Sequence, residues 1–319
     1  MENYLIAMGV SAGIYALMAL GLNVIWGMAG LVNLGLVGFF AVGAYTSALL
    51  TVKLGFPILA GVLAGTVTGA LVGVVVALIT ARLRGDYLAI VTLGFAEALR
   101  VLASNEVWLT NGTDGVSGIP GPLRADLMPV QFNLLFLGIV VALVTVVFFA
   151  FERLSYSPFG RVLRAIRDDD QVAAVAGKWV IAYKVQAFAI GCAALGLAGA
   201  LYGHYTSYIA PEIFVPLLTL YIKLSLLAGG VGNNKGAIIG AVLVVAFLES
   251  TRFIIPLFPG LSAVQGAALR EIIVSAALLV LLRFRTQGLV PEARSHPVIP
   301  RGRHGRTAPV ETAEKTFHA

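Results

Sequence analysis

The feature that most constrains this chain is a series of apolar runs, each roughly 20 residues long, in which polar and apolar positions do not alternate. In hydrocarbon every backbone polar group must be satisfied within the protein, so only helices and closed barrels can span a membrane. Barrel strands alternate in polarity, and these runs do not, so each run predicts a helix. Only 12% of the residues are charged and the mean hydropathy is +0.92. We therefore expect an all-α polytopic membrane protein.

The apolar runs predict a bundle of about nine transmembrane helices, within a range of eight to ten. The predicted spans cover residues 4–26, 28–52, 56–80, 87–104, 130–151, 185–208, 214–230, 236–255 and 267–282. The first two are joined only by residues 27–30, so the stretch around 27–43 is either a tight hairpin or partly re-entrant. Residues 1–286 are predicted to form one transmembrane domain, and the basic residues 287–319 a disordered tail.

Lysine and arginine are concentrated in three segments, which are the loop at 82–84, residues 152–184 and the tail. Short basic loops stay on the cytoplasmic side of a membrane. Placing all three segments there requires an odd number of spans and leaves every intervening loop, poor in basic residues, on the other side. The sequence therefore predicts an outer N-terminus and a cytoplasmic C-terminus.

Residues 152–184, called here the polar island, read ERLSYSPFGRVLRAIRDDDQVAAVAGKWVIAYK between long apolar runs. Ser157 followed by Pro158 predicts a helix start, with a hydroxyl cap and proline at the first helical position. The helix that follows places Arg161, Arg164 and Asp168 on one face, because their spacings are three and four residues. This amphipathic segment suits the membrane surface or a protein partner.

A second short helix is predicted after the run of Asp168, Asp169 and Asp170, each of which could cap it and complement its dipole. Gly177 is a natural terminator for this helix. Ala173 and Ala174 are small and would allow the helix to dock in a groove of another protein. A well-capped surface loop without a partner explains the same residues about equally well.

Small residues recur every fourth position along the third predicted span. This stripe, which lets a neighbouring helix approach closely, consists of Gly61, Gly65, Gly69 and Gly73. We interpret it as a helix-packing surface.

Ionisable and polar side chains inside the apolar runs are candidates for a path across the membrane, because such residues are costly there. Glu97 and Arg100 lie three residues apart on one helix face, and a mutual ion pair is the favoured alternative to a functional role. Lys223 could reach the membrane surface, pair with a carboxylate of another span, or face the path. Threonines in helices often bond their own backbone. The candidates are Tyr45, Thr46, Thr92, Glu97 and Lys223.

Several classes of protein do not fit the sequence. Cys192 is the single cysteine, and no histidine or cysteine cluster has metal-ligand spacing. The phosphate-binding pattern G-x-x-x-x-G-K-[ST] is absent, and no catalytic arrangement of side chains stands out. The basic residues lie at span ends and in the tail, as topology signals do, so we expect no nucleic-acid partner. We expect neither an enzyme nor a chain that holds a metal or cofactor.

Five stretches in order, spanning most of residues 21–249, resemble the LivM-type permease subunit of branched-chain amino acid ABC importers. In chain order, the opening residues of the five stretches are GLVNLGLVGFFAVGAYTSALL, LRGDYLAIVTLGFAEALRVL, NGTDGVSGIPG, SPFGRVLRAIRDDDQVAAVAG and AGGVGNNKGAIIGA. The resemblance implies a multi-pass subunit of the bacterial cytoplasmic (inner) membrane that moves substrate by alternating access. It also implies a sister permease, two ATP-binding subunits that hold the ATP, and a periplasmic or extracellular substrate-binding protein.

In such a family the polar island would be the interface that couples to the ATPase, with residues 168–177 as its coupling helix. The implied interface residues are Arg161, Arg164, Asp168, Asp169, Asp170, Ala173, Ala174 and Gly177. The sequence departs from the family pattern in two places. Lys178 and Trp179 follow the terminating glycine, which concerns the fit to the ATPase. Lys223 lies in an otherwise apolar span, which concerns the identity of the substrate.

Two alternatives remain open from the sequence. The first is the same transporter class acting on urea, amides or aromatic carboxylates. The second is a stand-alone secondary transporter or channel, which would show paired glycine-interrupted segments; residues 35–43 and 229–240 are only faintly of that kind. The polar island argues against the second, because a self-sufficient carrier does not need a capped docking helix.

Overall fold

The computed structural model describes residues 2–254 apart from 84 and 125, isolated positions between 265 and 283, and residues 288–292. This part of the chain is mostly helical, as the apolar runs predict. The helices are α1 (Glu2–Leu22), α2 (Leu36–Val52), α3 (Ile58–Thr80), α4 (Asp86–Asn105), α5 (Val107–Thr110), α6 (Pro129–Tyr156), α7 (Pro158–Asp168), α8 (Asp170–Val175), α9 (Val180–Thr206), α10 (Pro216–Gly229) and α11 (Asn234–Ile254).

Six helices within the described residues are long and apolar enough to cross a membrane. They are Glu2–Met28, Ile58–Thr80, Asp86–Asn105, Pro129–Tyr156, Val180–Thr206 and Pro211–Gly229. Leu36–Val52 is a shorter apolar helix. Only isolated positions of the predicted last span, 267–282, are described, and the tail from 293 onward lies outside the described residues, so the count of nine spans stays a prediction.

The second predicted span begins later than the sequence suggested. After α1 the chain continues as a π-helix, Asn23–Met28, and residues 29–35 are not helical. Leu34 N–H donates to the Thr92 hydroxyl of α4 at 3.1 Å, and Asn33 Oδ1 accepts from Gly35 N–H at 2.7 Å. The stretch is apolar apart from Asn33, so hydropathy could not separate a non-helical segment from a helix. Such backbone is tolerated at membrane depth where protein surrounds it.

The packed centre of the bundle consists of α2, α3 and α9, whose backbones meet at glycines. A Cβ placed on Gly43 would lie 2.2 Å from the Gly196 carbonyl oxygen, and one on Gly196 would lie 2.4 Å from that of Gly65. One on Gly65 would in turn lie 2.6 Å from the Gly43 oxygen. The stripe Gly61, Gly65, Gly69 and Gly73 is buried and faces α2 and α9, with Gly73 against Cys192. The small residues thus lie where helices approach most closely.

The bundle has two chemically different ends. At one, called the sheet end, β1 (Val116–Ser117) pairs antiparallel with β2 (Tyr208–Ile209). There the His204 ring bonds the Ser47 hydroxyl at 2.8 Å and the Pro120 carbonyl at 2.7 Å, which joins α2, α9 and the loop before α6. The other, called the island end, carries α7 and α8. The outer faces of α3 and α6 expose large apolar side chains such as Leu63, Leu71 and Phe149, as expected for lipid contact.

Five residues at the start of the predicted disordered tail are held against the island end. Leu289 N–H and Val290 N–H donate to the carbonyls of Ala228 and Gly229 at 2.9 and 2.8 Å. Asn233 Nδ2 donates to the Pro291 carbonyl at 3.1 Å. Residues 288–292 therefore pack on the α10–α11 connection rather than leaving the bundle at 287.

Candidate functional site

Helix α7 begins as its residues predict. The Ser157 hydroxyl accepts a hydrogen bond from Gly160 N–H at 3.3 Å, and Pro158 occupies the first helical position. Leu163 and Ile166 are buried and hold the helix on the bundle. This amphipathic packing places α7 along the island end.

Arg161 and Arg164 lie on one side of α7, and that side lies against the end of α6. Arg161 donates to the Tyr156 carbonyl at 3.2 Å, and Arg164 to the Ser155 hydroxyl at 3.1 Å, so both side chains fold back onto the end of α6. Arg167 donates to the Gly27 carbonyl and forms an ion pair with Glu292 at 3.0 Å. Gly30, with φ of +70°, lies directly against the Arg167 side chain.

The three consecutive aspartates have three different environments. Asp169 caps α8, because its carboxylate accepts from Gln171 N–H at 2.8 Å and Val172 N–H at 3.2 Å. Asp170 is mostly buried and pairs with Lys184 at 3.1 Å, which ties α8 to α9. Asp168 is exposed, 3.7 Å from the Arg167 guanidinium. The sequence could not choose among the three as the cap.

Helix α8 ends in a Schellman motif. Gly177 has φ of +76°, its N–H donates to the Ala174 carbonyl at 3.0 Å, and Lys178 N–H donates to the Ala173 carbonyl at 3.1 Å. Ala173 itself is only 4% exposed, so its methyl group does not lie on the outer surface as we had expected. In so short a helix packed on α7 one position must face inward. Ala174 is exposed.

The outward surface of α8 is larger and more apolar than the two alanines suggested. Val172, Val175 and Trp179 are 64, 91 and 76% exposed. Three apolar side chains that face outward from a charged segment indicate a contact surface. Sequence reasoning noticed Trp179 only as a departure from the family pattern and did not consider the valines. Two valines within a charged segment were the available signal.

Between α7 and α8 lies an open groove of about 590 Å³, whose floor includes Ala173 and whose walls include Val162 and Val172. A buried polar network lies beneath the same end of the bundle. Asn23 Nδ2 donates to Asn234 Oδ1 at 2.9 Å, and Asn234 Nδ2 donates to Glu152 at 2.9 Å. The network joins the π-helix that follows α1 to α11 and α6, so the island end contains a hydrogen-bonded support.

Among the pathway candidates, Thr92 and Lys223 have partners inside the protein. The Thr92 hydroxyl donates to the Ala89 carbonyl at 3.0 Å and accepts from Leu34 N–H, and Thr92 is fully buried. The Lys223 ammonium lies 5.0 Å from the centroid of the Trp26 indole ring, a cation–π contact between α10 and the π-helix. Glu97 and Arg100 form the ion pair that their spacing allows, and their side chains remain partly exposed.

Tyr45 and Thr46 line a cavity of about 220 Å³ near the sheet end of α2 and α4. Arg100, Glu106 and Thr110 contribute further polar side chains. The remaining lining is apolar and consists of Ala41, Val42, Leu49, Leu99, Leu102, Ala103, Leu109 and Phe214. The structure thus brings Tyr45, Thr46 and the Glu97–Arg100 pair to one region and leaves Thr92 and Lys223 outside it. Glu106 was not among the predicted residues, although a carboxylate at the end of an apolar run was visible.

Within the described residues no group of three or more His, Cys, Asp or Glu side chains could hold a metal ion. The described residues therefore offer two candidate sites. One is a protein-contact surface at the island end, and the other is a small, mainly apolar cavity near the sheet end.

Comparison with known proteins identifies the family of this chain. Residues 4–282 match the family described as branched-chain amino acid transport system / permease component. The chain is 32% identical over 303 residues to the high-affinity branched-chain amino acid transport system permease protein LivM of Salmonella typhimurium strain LT2, covering 88% of this chain and 68% of that protein. LivM of Escherichia coli strain K12 is 31% identical over 306 residues, with the same coverage.

The permease protein LivH of the same Salmonella typhimurium strain is 24% identical over 256 residues, or 74% of this chain and 81% of LivH. No solved structure matches this chain. The relatives do not favour a stand-alone carrier, or transport of urea, amides or aromatic carboxylates. The apolar helices agree with a multi-pass membrane protein. The chain belongs to the family of permease components of branched-chain amino acid ABC transport systems.

Proposed function

We propose that this chain is the membrane-spanning subunit of an ATP-driven importer of branched-chain amino acids in the cytoplasmic membrane. Its relatives are named as permease proteins of branched-chain amino acid transport systems, and the family match covers residues 4–282. The chain itself carries out no covalent chemistry and binds no ATP or other cofactor. It moves substrate by alternating access, while partner subunits bind and hydrolyse ATP.

The proposed topology has nine spans, an outer N-terminus and a cytoplasmic C-terminus. Basic residues at the two ends of the described bundle support it. The island end carries Arg153, Arg161, Arg164, Arg167, Lys178 and Lys184. The sheet end carries Lys53 and Arg124, whose side chains bond backbone carbonyls there. This asymmetry favours a cytoplasmic island end.

The partners are a sister permease, two ATP-binding subunits and a substrate-binding protein outside the membrane. We assign the ATPase contact to α7 and α8. The observation that carries this assignment is the capped helix α8, held on both sides, with Val172, Val175 and Trp179 facing outward. A short rigid helix at the end of a bundle can be displaced as a unit, whereas an uncapped loop would deform.

The contacts of α7 and α8 indicate how such a displacement would reach the spans. The Asp170–Lys184 pair joins α8 to α9, the helix at the centre of the packed glycine interface. Arg167 joins α7 to the π-helix at Gly27 and, through Glu292, to the segment packed on α10. Motion of the island is thus linked to three separate parts of the bundle.

The test is Ala174→Arg in the complete transporter, reconstituted in proteoliposomes with its binding protein. Ala174 is exposed on α8, so the added charge falls at the proposed contact without entering the core. We expect ATP-driven leucine uptake to fall by at least about tenfold, as for a disrupted interface centre, while thermal stability is kept. Ala174→Ser is the matched control and should transport normally. Intact coupling of transport to ATP hydrolysis in Ala174→Arg would place the contact elsewhere.

A further inference from the structure

The cavity between α2, α4 and α5 contains polar groups whose hydrogen-bonding capacity is unused by the described residues. The Tyr45 hydroxyl is buried and has no hydrogen-bond partner in this part of the chain. Buried polar groups are nearly always paired, so an unpaired one calls for a ligand or another explanation. Tyr45 packs its ring on Phe214, with 5.6 Å between centroids, so the side chain is held in place at the cavity wall.

Arg100 retains donors that face no acceptor. Its Nε and Nη2 atoms donate to the Glu97 carboxylate, and Nη1 donates to nothing among the described residues. A guanidinium carries five N–H donors in a fixed plane, which suits recognition of a carboxylate. The Glu97 contact holds that plane, and the Arg100 side chain is 30% exposed. Glu97 therefore acts as a positioning residue for Arg100.

Glu106 supplies the opposite charge on the same cavity. Its Oε2 atom accepts the Trp108 indole N–H at 2.6 Å, which fixes the carboxylate. Its Oε1 atom has no partner within the described part of the chain. One cavity thus presents an available cationic donor, an available anionic acceptor and the Tyr45 hydroxyl, on walls that are otherwise aliphatic and aromatic apart from Thr46 and Thr110.

We propose that this cavity binds an amino acid as a zwitterion during its passage through the permease. Arg100 would donate to the α-carboxylate, Glu106 would accept from the α-ammonium group, and Tyr45 would complete the carboxylate contacts. The branched aliphatic side chain would pack on Val42, Leu49 and Phe214. This inference rests on the proposed function and adds the residues that recognise the two charged ends of the substrate.

The same chemistry makes the site selective for ligands that carry both an ammonium group and a carboxylate. A ligand without an ammonium group leaves Glu106 paired only with Trp108, and one without a carboxylate leaves Arg100 paired only with Glu97. Leaving a polar group of the site unpaired is penalised more strongly than removing one methylene from an apolar contact. The cavity therefore discriminates against simple carboxylates and simple amines.

The site can be tested by ligand protection of an introduced cysteine. Cys192 is the chain's single cysteine and is buried, so background labelling is low. Ala103→Cys places a thiol in the cavity wall, and the complete transporter in proteoliposomes is labelled with a small thiol reagent. At a leucine concentration about ten times the dissociation constant, occupancy should slow labelling about tenfold. Asp126→Cys, exposed near the sheet end and outside the cavity, should label at the same rate with and without leucine.

Two analogues and three further variants sharpen the test. Isocaproate lacks the ammonium group and isoamylamine lacks the carboxylate, so neither should protect at the same concentration. In the Ala103→Cys background, Tyr45→Phe should weaken protection about fivefold and Glu106→Gln by about tenfold or more. Tyr205→Phe removes the same hydroxyl from a ring packed on Phe136, outside the cavity, and should leave protection unchanged.

The double variant Glu97→Gln with Arg100→Gln tests whether the ion pair between these residues serves ligand binding or only the structure of the bundle. If the pair only holds the bundle, removing both charges leaves leucine protection intact, which would overturn the proposal. Equal protection by the two analogues, or none by leucine while ATP-driven leucine uptake persists, would also overturn it. If the wild-type complex shows no ATP-driven leucine uptake, the proposed function itself fails.

Discussion

The glycine interface of α2, α3 and α9 and the polar island of α7 and α8 differ in how they are held together. In the interface, backbones meet directly at Gly43, Gly65 and Gly196, and no atom can be added without displacing a helix. In the island, short helices are held by caps and ion pairs, while Val172 and Val175 leave most of their surface exposed. The comparison indicates that the close-packed interface of α2, α3 and α9 is the rigid frame of the bundle, whereas the island has a defined shape and an open outer surface.

Gly43→Val should have the largest effect. Its Cβ would lie 2.2 Å from the Gly196 carbonyl oxygen, and this backbone cannot move without separating α2 from α9. We expect destabilisation of at least about 3 kcal/mol, seen as lost folded protein and a lower Tm in detergent. Gly138→Ala in α6, where an added Cβ meets nothing within 4 Å, is the control. A Tm for Gly43→Val equal to that of the control would mean that the interface is not close-packed.

Ala173→Arg should destabilise the island, unlike Ala174→Arg. Ala173 is buried between α7 and α8, so an arginine there must expel the short helix or bury its charge. We expect a loss of roughly 2–4 kcal/mol locally, measured as faster hydrogen exchange in α8. The Tm of the protein in detergent should change little, because the substitution lies outside the interface of α2, α3 and α9. If both arginine variants give the same exchange pattern as wild type, the inward orientation of Ala173 is wrong.

Arg167→Ala should loosen the connection between the island and the frame. The substitution leaves Glu292, which is 18% exposed, without its partner and frees the Gly27 carbonyl. We expect a cost of roughly 1–3 kcal/mol, read from hydrogen exchange in residues 23–30 and 288–292. A double-mutant cycle with Glu292→Gln isolates the pair. Additive effects of the two substitutions would show that the ion pair contributes no coupling.

Asp169→Ala should have the smallest effect. It removes the cap of α8, whose carboxylate accepts from Gln171 and Val172 N–H, and should cost about 1 kcal/mol. Hydrogen exchange at those two amides is the measurement. Asp168→Ala is the matched control, because Asp168 is exposed and caps nothing. Equal acceleration in both variants would mean that the cap assignment is incorrect.

The fold was largely predictable where a residue type strongly favours one position in a helix, such as its first or last residue. Ser157 with Pro158 starts α7, and Gly177 ends α8, because capping depends on the residue itself and its immediate neighbours. The late start of α2 was not predictable, because residues 29–35 are mostly apolar, like the helix that follows. Their non-helical path includes a hydrogen bond from Leu34 N–H to Thr92, which is far away in sequence.

The candidate sites were predictable only in part. Tyr45, Thr46 and Arg100 were visible as polar residues in apolar runs, but their meeting with Glu106 in one cavity depends on how α2 packs against α4. Lys223 was also visible, although its contact with Trp26 pairs residues almost 200 positions apart in the chain. Ala173 and Ala174 look alike in the sequence, and only the packing of α8 on α7 separates them.

The sequence alone determined the membrane class, the approximate spans, the capped island and the family resemblance. All of these follow from hydropathy, from local hydrogen bonding or from the order of motifs. Tertiary structure alone decided which alanine faces outward, which aspartate caps, which arginine binds the π-helix, and which polar groups share a cavity. Those outcomes depend on distances between helices that are remote in sequence, and such distances are set by close packing of the whole bundle.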